Sequence, residues 1–270
     1  MTAGKMETSG KSVVYESEDI SVIEESPMEI TDALVLVGFP TIGLVGSIVA
    51  NHVIRQLKLR RIGYFSSKYF APTAVVIDGV PNPPVRIYAG EHLCGPGKKC
   101  QQVVVITSEF TPPPEMIEPL ADAIIYWSSK NNVSMMVTLE GFNSDTENNT
   151  KPEIISVGST LDARHLLKEF EVQQMSEGMV GGVSGVLLHK GSVEKINIIS
   201  LLAEAPANYP AARSAARTIE VLDKMLPLIK LDPKPLYARA TEIETAIKES
   251  LTRTTPKGEL GPGGSSPAYV

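Results

Sequence analysis

A glycine-bounded turn, from Gly38 to Gly43, is the first part of the sequence whose residue types could do chemistry. The spacing matches half of a phosphate-binding P-loop, in which the second glycine is followed by lysine and then by serine or threonine. Here Leu44 and Val45 occupy those two positions. Without the lysine no cation reaches the β- and γ-phosphates, and without the hydroxyl group magnesium lacks a ligand. The sequence therefore predicts that this turn does not support ATP hydrolysis.

The same turn does not fit a dinucleotide-binding site. Gly38, Gly43 and Gly46 lack the G-x-G-x-x-G spacing, and Ser-Ser-Lys at 66–68 stands where an acidic residue would bind the ribose. We interpret Gly38, Pro40, Gly43 and Gly46 as a structural turn that lets a helix pack closely on a strand. No cofactor is predicted.

Ser184 lies in a second glycine-rich stretch, which resembles a nucleophile elbow. The pattern G-x-S-x-G needs a glycine at position 186, and the chain has valine there. A catalytic triad is left open, but nothing in the sequence assembles one from the four histidines, which are His52, His92, His165 and His189. We predict that Ser184 caps a helix or packs in the interior, and that the chain has no catalytic residues.

His92, Cys94 and Cys100 lie near one another along a predicted hairpin and could hold a metal ion. Zinc sites usually need four ligands at characteristic spacings, and the chain has only these two cysteines. We therefore favour two reduced cysteines that face each other across the hairpin. Acidic residues such as Asp145 and Glu147 are expected on solvated surfaces. No metal site and no pair of catalytic carboxylates is predicted.

Apolar runs alternate with stretches whose apolar residues recur at helical spacing, which predicts an α/β fold. Strands are predicted at 33–37, 61–65, 74–77, 133–139, 154–157 and 196–202, with 85–93 and 101–107 paired as a hairpin. Helices are predicted at about 44–57, 112–131, 162–169, 210–229 and 236–252. We expect a mainly parallel sheet covered by helices on both faces.

Composition and charge argue against several kinds of partner. The 270 residues carry a net charge of −6, so neither nucleic acid nor an anionic membrane is an expected partner. Leu34–Ala50 is uncharged, but its glycines and Pro40 fit a strand-turn-helix junction better than a membrane span. With two cysteines and no signal peptide within Met1–Ser12, the protein is expected in the cytoplasm.

Composition also divides the chain into four parts. Residues 1–20 are acidic and are predicted to be disordered, and 21–231 form the α/β domain. Residues 232–254 form a C-terminal helix whose apolar positions recur at heptad-like spacing, so it packs on its own domain or on another subunit. Residues 255–270 are rich in glycine, proline and serine, which predicts a flexible tail.

Three stretches resemble the proteasome assembly chaperone family in its archaeal branch. They are Ala33–Gly46, Gly181–Leu188 and the prolines and alanines of Glu204–Ala212, in the family's order within about residues 20–230. The resemblance implies a three-layer α/β fold similar to that of nucleoside phosphorylases, with a mixed sheet flanked by helices, but without that enzyme class's catalysis. It also implies a homo-oligomer that engages the proteasome core particle.

The last three residues, Ala268, Tyr269 and Val270, resemble the hydrophobic-Tyr-any tails of some archaeal members of that family. The resemblance implies that these three residues bind the α-ring of the core particle. We therefore expect a non-catalytic, ATP-independent proteasome activator or assembly chaperone, and the tail favours the activator.

Two alternatives stay open. The first is an enzyme or binding protein for a nucleoside or another small ligand, which the resembled fold permits. The second is a structural protein whose Ala-Tyr-Val end binds a peptide-recognition domain.

Overall fold

Four apolar segments of the chain lie side by side as parallel strands at the centre of a sheet. The computed structural model describes residues 11–26, 28–91, 93–94, 100–143 and 150–254. The thirteen strands in these residues are β1 Ser12–Glu16, β2 Ser21–Glu24, β3 Ala33–Gly38, β4 Arg60–Ser66, β5 Val75–Ile77, β6 Val80–Asn82, β7 Val85–Ala89, β8 Leu93–Cys94, β9 Cys100–Ser108, β10 Val133–Asn143, β11 Ile154–Gly158, β12 Gln173–Gln174 and β13 Ile198–Ala205. The helices are α1 Val45–Gln56, α2 Pro114–Lys130, α3 Leu161–Glu169, α4 Gly182–Glu194, α5 Ala212–Met225 and α6 Lys234–Thr254.

Within the described ranges, eleven strands form one sheet and β5 and β6 form a separate pair. The main path through the large sheet is β1-β2-β4-β7-β9-β3-β10-β13-β11-β12, and β8 pairs with β9. The central strands β9, β3, β10 and β13 run parallel to one another, whereas β4 and β7 run antiparallel to their neighbours. β11 runs antiparallel to β13 and parallel to β12. The sheet is therefore mixed, as the resemblance implied. The expectation of a mainly parallel sheet holds for its centre.

Alternating side chains of the central strands pack into two hydrophobic cores, one on each face of the sheet. On β3, Leu34 and Leu36 contact the core built with α1, α3, α5 and α6. Val35 and Val37 contact the opposite core, which α2 and α4 cover. A strand buried on both faces has no polar side, which explains the unbroken apolar run. The three-layer α/β class predicted from the sequence is confirmed.

The amino-terminal strand β1 is a departure from the expectation that residues 1–20 are disordered. Ser12–Glu16 pairs antiparallel with β2, which pairs with β4. The Tyr15 ring lies 4.8 Å from that of Tyr126 on α2. Pairing at the sheet edge and this aromatic contact outweigh the polar local composition. Residues 1–10 lie outside the described part of the chain.

Helix α4 was not predicted, because glycine is a poor helix former. Its buried residues Val183, Leu187 and Leu188 pack against the α2 side of the sheet. Gly191 is needed there, since a Cβ atom would lie 2.9 Å from the Ile198 side chain. Tertiary packing overrides propensity in this segment.

Other boundaries differ in detail. The predicted helix at 210–229 is shorter, because α5 ends at Met225, before Pro227. The predicted strand at 133–139 continues as β10 to Asn143. The hairpin is present, and its register pairs Cys94 with Cys100. In the described part of the chain, no helix is both long enough and apolar enough to span a membrane.

Candidate functional site

The carboxyl ends of β3, β9, β10 and β13 lie at one edge of the sheet, which we call the carboxyl edge. In open α/β sheets ligands usually bind at this edge. The glycine turn leaves β3 here, passes through a 3₁₀ turn at Ile42–Leu44 and enters α1. Gly43 and Leu44 both have left-handed backbone angles, with φ of 62° and 54°.

Three glycines in the turn sit where backbone segments approach closely. A Cβ atom on Gly38 would lie 2.5 Å from the carbonyl oxygen of Gly46. One on Gly46 would lie 2.4 Å from the carbonyl oxygen of Leu139, and one on Gly43 would lie 2.8 Å from the Ala205 side chain. Close packing of α1 on the strands thus accounts for these glycines without a ligand.

Hydrogen bonds from neighbouring elements hold the turn in place. The Thr107 hydroxyl donates to the carbonyl oxygen of Gly38 at 2.8 Å, and the Thr111 hydroxyl donates to that of Pro40 at 3.1 Å. The Ala211 amide donates to the carbonyl oxygen of Gly43 at 2.7 Å. The turn is therefore bonded to the end of β9, to the loop that follows β9 and to the segment before α5. Its exposed tip consists of Ile42 and Leu44.

Glu140 is the residue at this edge that sequence reasoning missed. It follows the apolar run of β10, and its carboxylate accepts a hydrogen bond from Ser184 on α4. Thr41 also hydrogen-bonds to the carboxylate, and the Thr41 hydroxyl accepts from the Gly141 amide at 3.1 Å. Burial raises the pKa of Glu140 to about 7, and the bonds from Ser184 and Thr41 oppose that rise. An acid directly after an apolar strand at the carboxyl edge was the signal available in the sequence.

Ser184 does not occupy a nucleophile elbow. It is the third residue of α4, buried beneath the helix, and no strand leads directly into it. The residue at the helix N-cap is Gly181, so the predicted capping role for Ser184 is wrong. The predicted packing role holds, because Ser184 ties α4 to Glu140.

The histidines and cysteines do not converge on Ser184 in the described residues. His52 is buried on α1, and its Nε2 donates to the carbonyl oxygen of Asp232 at 2.8 Å. His165 and His189 are exposed on α3 and α4. His92 and the side chains of Cys94 and Cys100 lie outside the described part of the chain. Where side chains are described, no three His, Cys, Asp or Glu residues form a cluster that could hold a metal ion.

Helix α6 runs back along α5 toward the carboxyl edge. Near its start, Tyr237 donates to Glu220 at 2.7 Å. Further on, Glu244 accepts two hydrogen bonds, of 2.8 and 2.7 Å, from Arg213 in the first turn of α5. The helix backbone continues to Thr254, so about 15 Å of helix follows Glu244. The predicted docking residues Ala268, Tyr269 and Val270 lie beyond it, outside the described residues.

Solved structures similar to this chain share its α/β fold, with a mixed sheet flanked by helices. The PAC2 family profile matches residues 35–251. The chain therefore belongs to the PAC2 family.

Three proteins illustrate the relationship. An uncharacterised protein of Methanocaldococcus jannaschii is 29% identical over 232 residues, which cover 86% of this chain and 91% of that protein. The crystal structure of Pyrococcus furiosus PbaA, an archaeal homologue of proteasome-assembly chaperone, matches with a TM-score of 0.75 and 26% identity, over 87% of this chain and 93% of that one. Pyrococcus furiosus PbaB, an archaeal proteasome activator, has the same fold, with a TM-score of 0.76 and 20% identity, over 87% of this chain and 100% of that one.

Proposed function

We propose that this protein is a non-catalytic homo-oligomer of the cytoplasm that binds the α-ring of the proteasome core particle through its C-terminal tails. The observation that carries the proposal is the likeness to PbaA over 87% of the chain, within a shared family. It acts as an ATP-independent activator or as an assembly chaperone, and the tail sequence favours the activator.

The chemistry of Ala268, Tyr269 and Val270 suits insertion into a pocket. The terminal carboxylate of Val270 pairs with a lysine of the partner, and the Tyr269 ring is buried while its hydroxyl group hydrogen-bonds. The predicted tether at 255–267 has a root-mean-square reach of roughly 20 Å. Because α6 carries the chain past the carboxyl edge, the tether starts beyond the end of the sheet.

Several tails on one oligomer strengthen a weak single contact. Once one tail is bound, the others search a small volume, so their effective concentration is in the millimolar range for short flexible tethers. A weaker contact in each tail therefore lowers the affinity of the whole oligomer by much more than it lowers the affinity of a single tail. The proposal thus depends on the oligomer as well as on the tail.

The test compares core-particle binding by the parent protein, Tyr269→Ala and a form with one residue added after Val270. The first change removes the buried ring and its hydroxyl bond, and the second moves the carboxylate away from its cationic partner. Each should weaken the contact by about 1–3 kcal/mol per tail, so binding of the oligomer should nearly disappear. Binding would be measured by co-sedimentation.

Ser265→Ala is the matched control, since it changes the predicted tether and leaves the last three residues intact. It should bind as the parent does. Peptide hydrolysis by the core particle without ATP separates the two roles, because an activator raises it and an assembly chaperone does not. Equal binding by all four proteins would show that the tail is not the docking element.

A second candidate, a binding protein or enzyme for a nucleoside or similar ligand, is favoured by one observation. Glu140 has a pKa of about 7 at the carboxyl edge, where α/β proteins usually bind ligands. A ligand there would raise the melting temperature of the parent, and Glu140→Gln would reduce that rise. No shift with a panel of nucleosides at millimolar concentration would remove this candidate.

A further inference from the structure

The β5–β6 hairpin stands apart from the main sheet, in the connection between β4 and β7. Its register pairs Ile77 with Val80 and Val76 with Pro81. Asp78 and Gly79 form the two-residue turn, with φ of 49° and 77°, as a type I′ hairpin turn requires. Since β7 begins opposite Ser108 at the end of β9, the hairpin projects from the carboxyl edge.

The hairpin exposes large apolar side chains to solvent. Val76 is 67% exposed, Val80 57% and Ile77 40%. A lone two-stranded hairpin is marginally stable in water, and exposed β-branched residues on an open strand are a typical pairing surface. At the base, Arg61 donates to Asn82, which attaches the hairpin to β4.

The two outer edges of the hairpin are not equivalent. Next to a two-residue turn, Ile77 and Val80 form the hydrogen-bonded pair, so the following pair, Val76 and Pro81, directs its backbone groups outward. Pro81 has no N–H group and blocks the edge of β6. Val76 has both an N–H and a carbonyl group, and among the described residues β5 pairs only with β6. The edge of β5 is therefore open to a further strand.

We propose that the edge of β5 pairs antiparallel with β5 of a second copy of this chain, around a two-fold axis at Val76. In this register Val76 exchanges both backbone hydrogen bonds with the Val76 of the second copy. The two valines lie side by side on one face with Pro81 on either flank, which covers apolar surface on both copies. The contact is self-complementary, as a two-fold interface requires.

Charge also favours a second copy over another partner. Within Val75–Asn82 the one charged residue is Asp78, in the turn. The two-fold register places Asp78 opposite Ala74 of the second copy, so the two carboxylates do not face each other. A neutral apolar edge of this kind gives no electrostatic selection for a charged partner.

This inference rests on the oligomer in the proposed function, but not on the tail. Val76→Pro removes the outward N–H group and leaves the pairing with β6 intact, as Pro81 does on the opposite strand. Val76→Thr is the matched control, because it keeps the N–H group and the β-branched shape. Light scattering over a dilution series should show at least a tenfold rise in the apparent dissociation constant for Val76→Pro, and about the parent value for Val76→Thr.

A cross-linking experiment tests the same contact with a variant that does not disrupt the interface. In a Cys94→Ser/Cys100→Ser background, Val76→Cys should form a disulfide-linked dimer under mild oxidation. Thr73 is also exposed, and the Thr73→Cys variant should remain largely monomeric on a non-reducing gel. A monomeric parent, an unchanged dissociation constant for Val76→Pro, or equal cross-linking at 73 and 76 would each overturn the inference.

The two proposals fail in distinguishable ways. Tyr269→Ala tests tail docking and should leave the mass of the assembly unchanged. Val76→Pro tests the interface and should change that mass whether or not the tail binds a core particle. Unchanged circular dichroism of Val76→Pro would show that the main sheet remains folded.

Discussion

Glu140 places a carboxyl group between the glycine turn and the first turn of α4. Burial raises its pKa from an ordinary value of 4.5 to about 7, so the group takes up a proton far more readily in the folded protein than in the unfolded chain. Between pH 4.5 and 7 the folded state binds more protons than the unfolded state does. The free energy of unfolding therefore falls as the pH rises through this window, and the loss is complete above about pH 7.

Glu140→Gln should remove that pH dependence. A shift of this size corresponds to about 3 kcal/mol, and water penetration reduces the figure, so we expect a gain of about 1–3 kcal/mol at pH 8. At pH 4.5 the variant and the parent should have similar stability, since both side chains are then neutral in the folded state. Urea unfolding at the two pH values gives the comparison.

The control for this experiment is Glu169→Gln, which makes the same change at an exposed position of α3. It should leave the difference in stability between the two pH values as it is in the parent. If Glu140→Gln behaves like this control, the carboxyl group is not held in the environment described above.

At the scale of elements, the contact of α1 with β3 and β10 depends on the absence of a side chain at Gly46. A Cβ atom there would lie 2.4 Å from the carbonyl oxygen of Leu139 and 2.6 Å from that of Phe39. Both are backbone atoms and cannot rotate away. Gly46→Ala gains about 1 kcal/mol of helix propensity, but displacement of α1 costs more, so we expect a net loss of about 1–3 kcal/mol. Thermal unfolding followed by circular dichroism measures it.

Gly181→Ala provides the comparison at the start of α4. Its φ is −102°, and a Cβ atom would meet nothing within 4 Å. The change in stability should stay below about 1 kcal/mol. Equal losses for the two variants would mean that close packing is not the reason for glycine at position 46.

At the scale of the whole molecule, two elements extend from the carboxyl edge: the β5–β6 hairpin and the end of α6. They leave from different parts of the sheet, since the hairpin follows β4 whereas α6 packs on α5, beyond β13. One joins copies of the chain in our proposal, and the other carries the tail. The glycine turn lies between them and is bonded to β9 and to the segment before α5.

This arrangement predicts how the intact protein responds to nucleotide. Leu44 and Val45 offer no cation and no hydroxyl group, and the glycines are accounted for by backbone packing. Magnesium ATP at millimolar concentration should shift the melting temperature by less than about 1 °C, because a ligand that does not bind the folded state cannot stabilise it. Phosphate release should equal that of buffer. Turnover that disappears in a variant of the turn would contradict the non-catalytic proposal.

The sequence by itself determined the α/β class, most of the central strands and helices, and the lack of a P-loop's lysine and hydroxyl group after Gly43. These follow from local patterns: β3 is an apolar run because it is buried on both faces, and the lysine and hydroxyl group of a P-loop are visibly absent at Leu44 and Val45. Such patterns need no knowledge of distant neighbours.

The tertiary structure decided the features that depend on contacts between distant segments. Burial raises the pKa of Glu140 against the opposing hydrogen bonds from Ser184 and Thr41, and 44 residues separate Glu140 from Ser184. β1 is a strand because it pairs with β2 at the edge of the sheet. α4 is a helix because its apolar residues pack in a core. The open edge of β5 appeared only once the register set Val76 opposite Pro81. In each case the deciding energy comes from a partner that the local sequence does not contain.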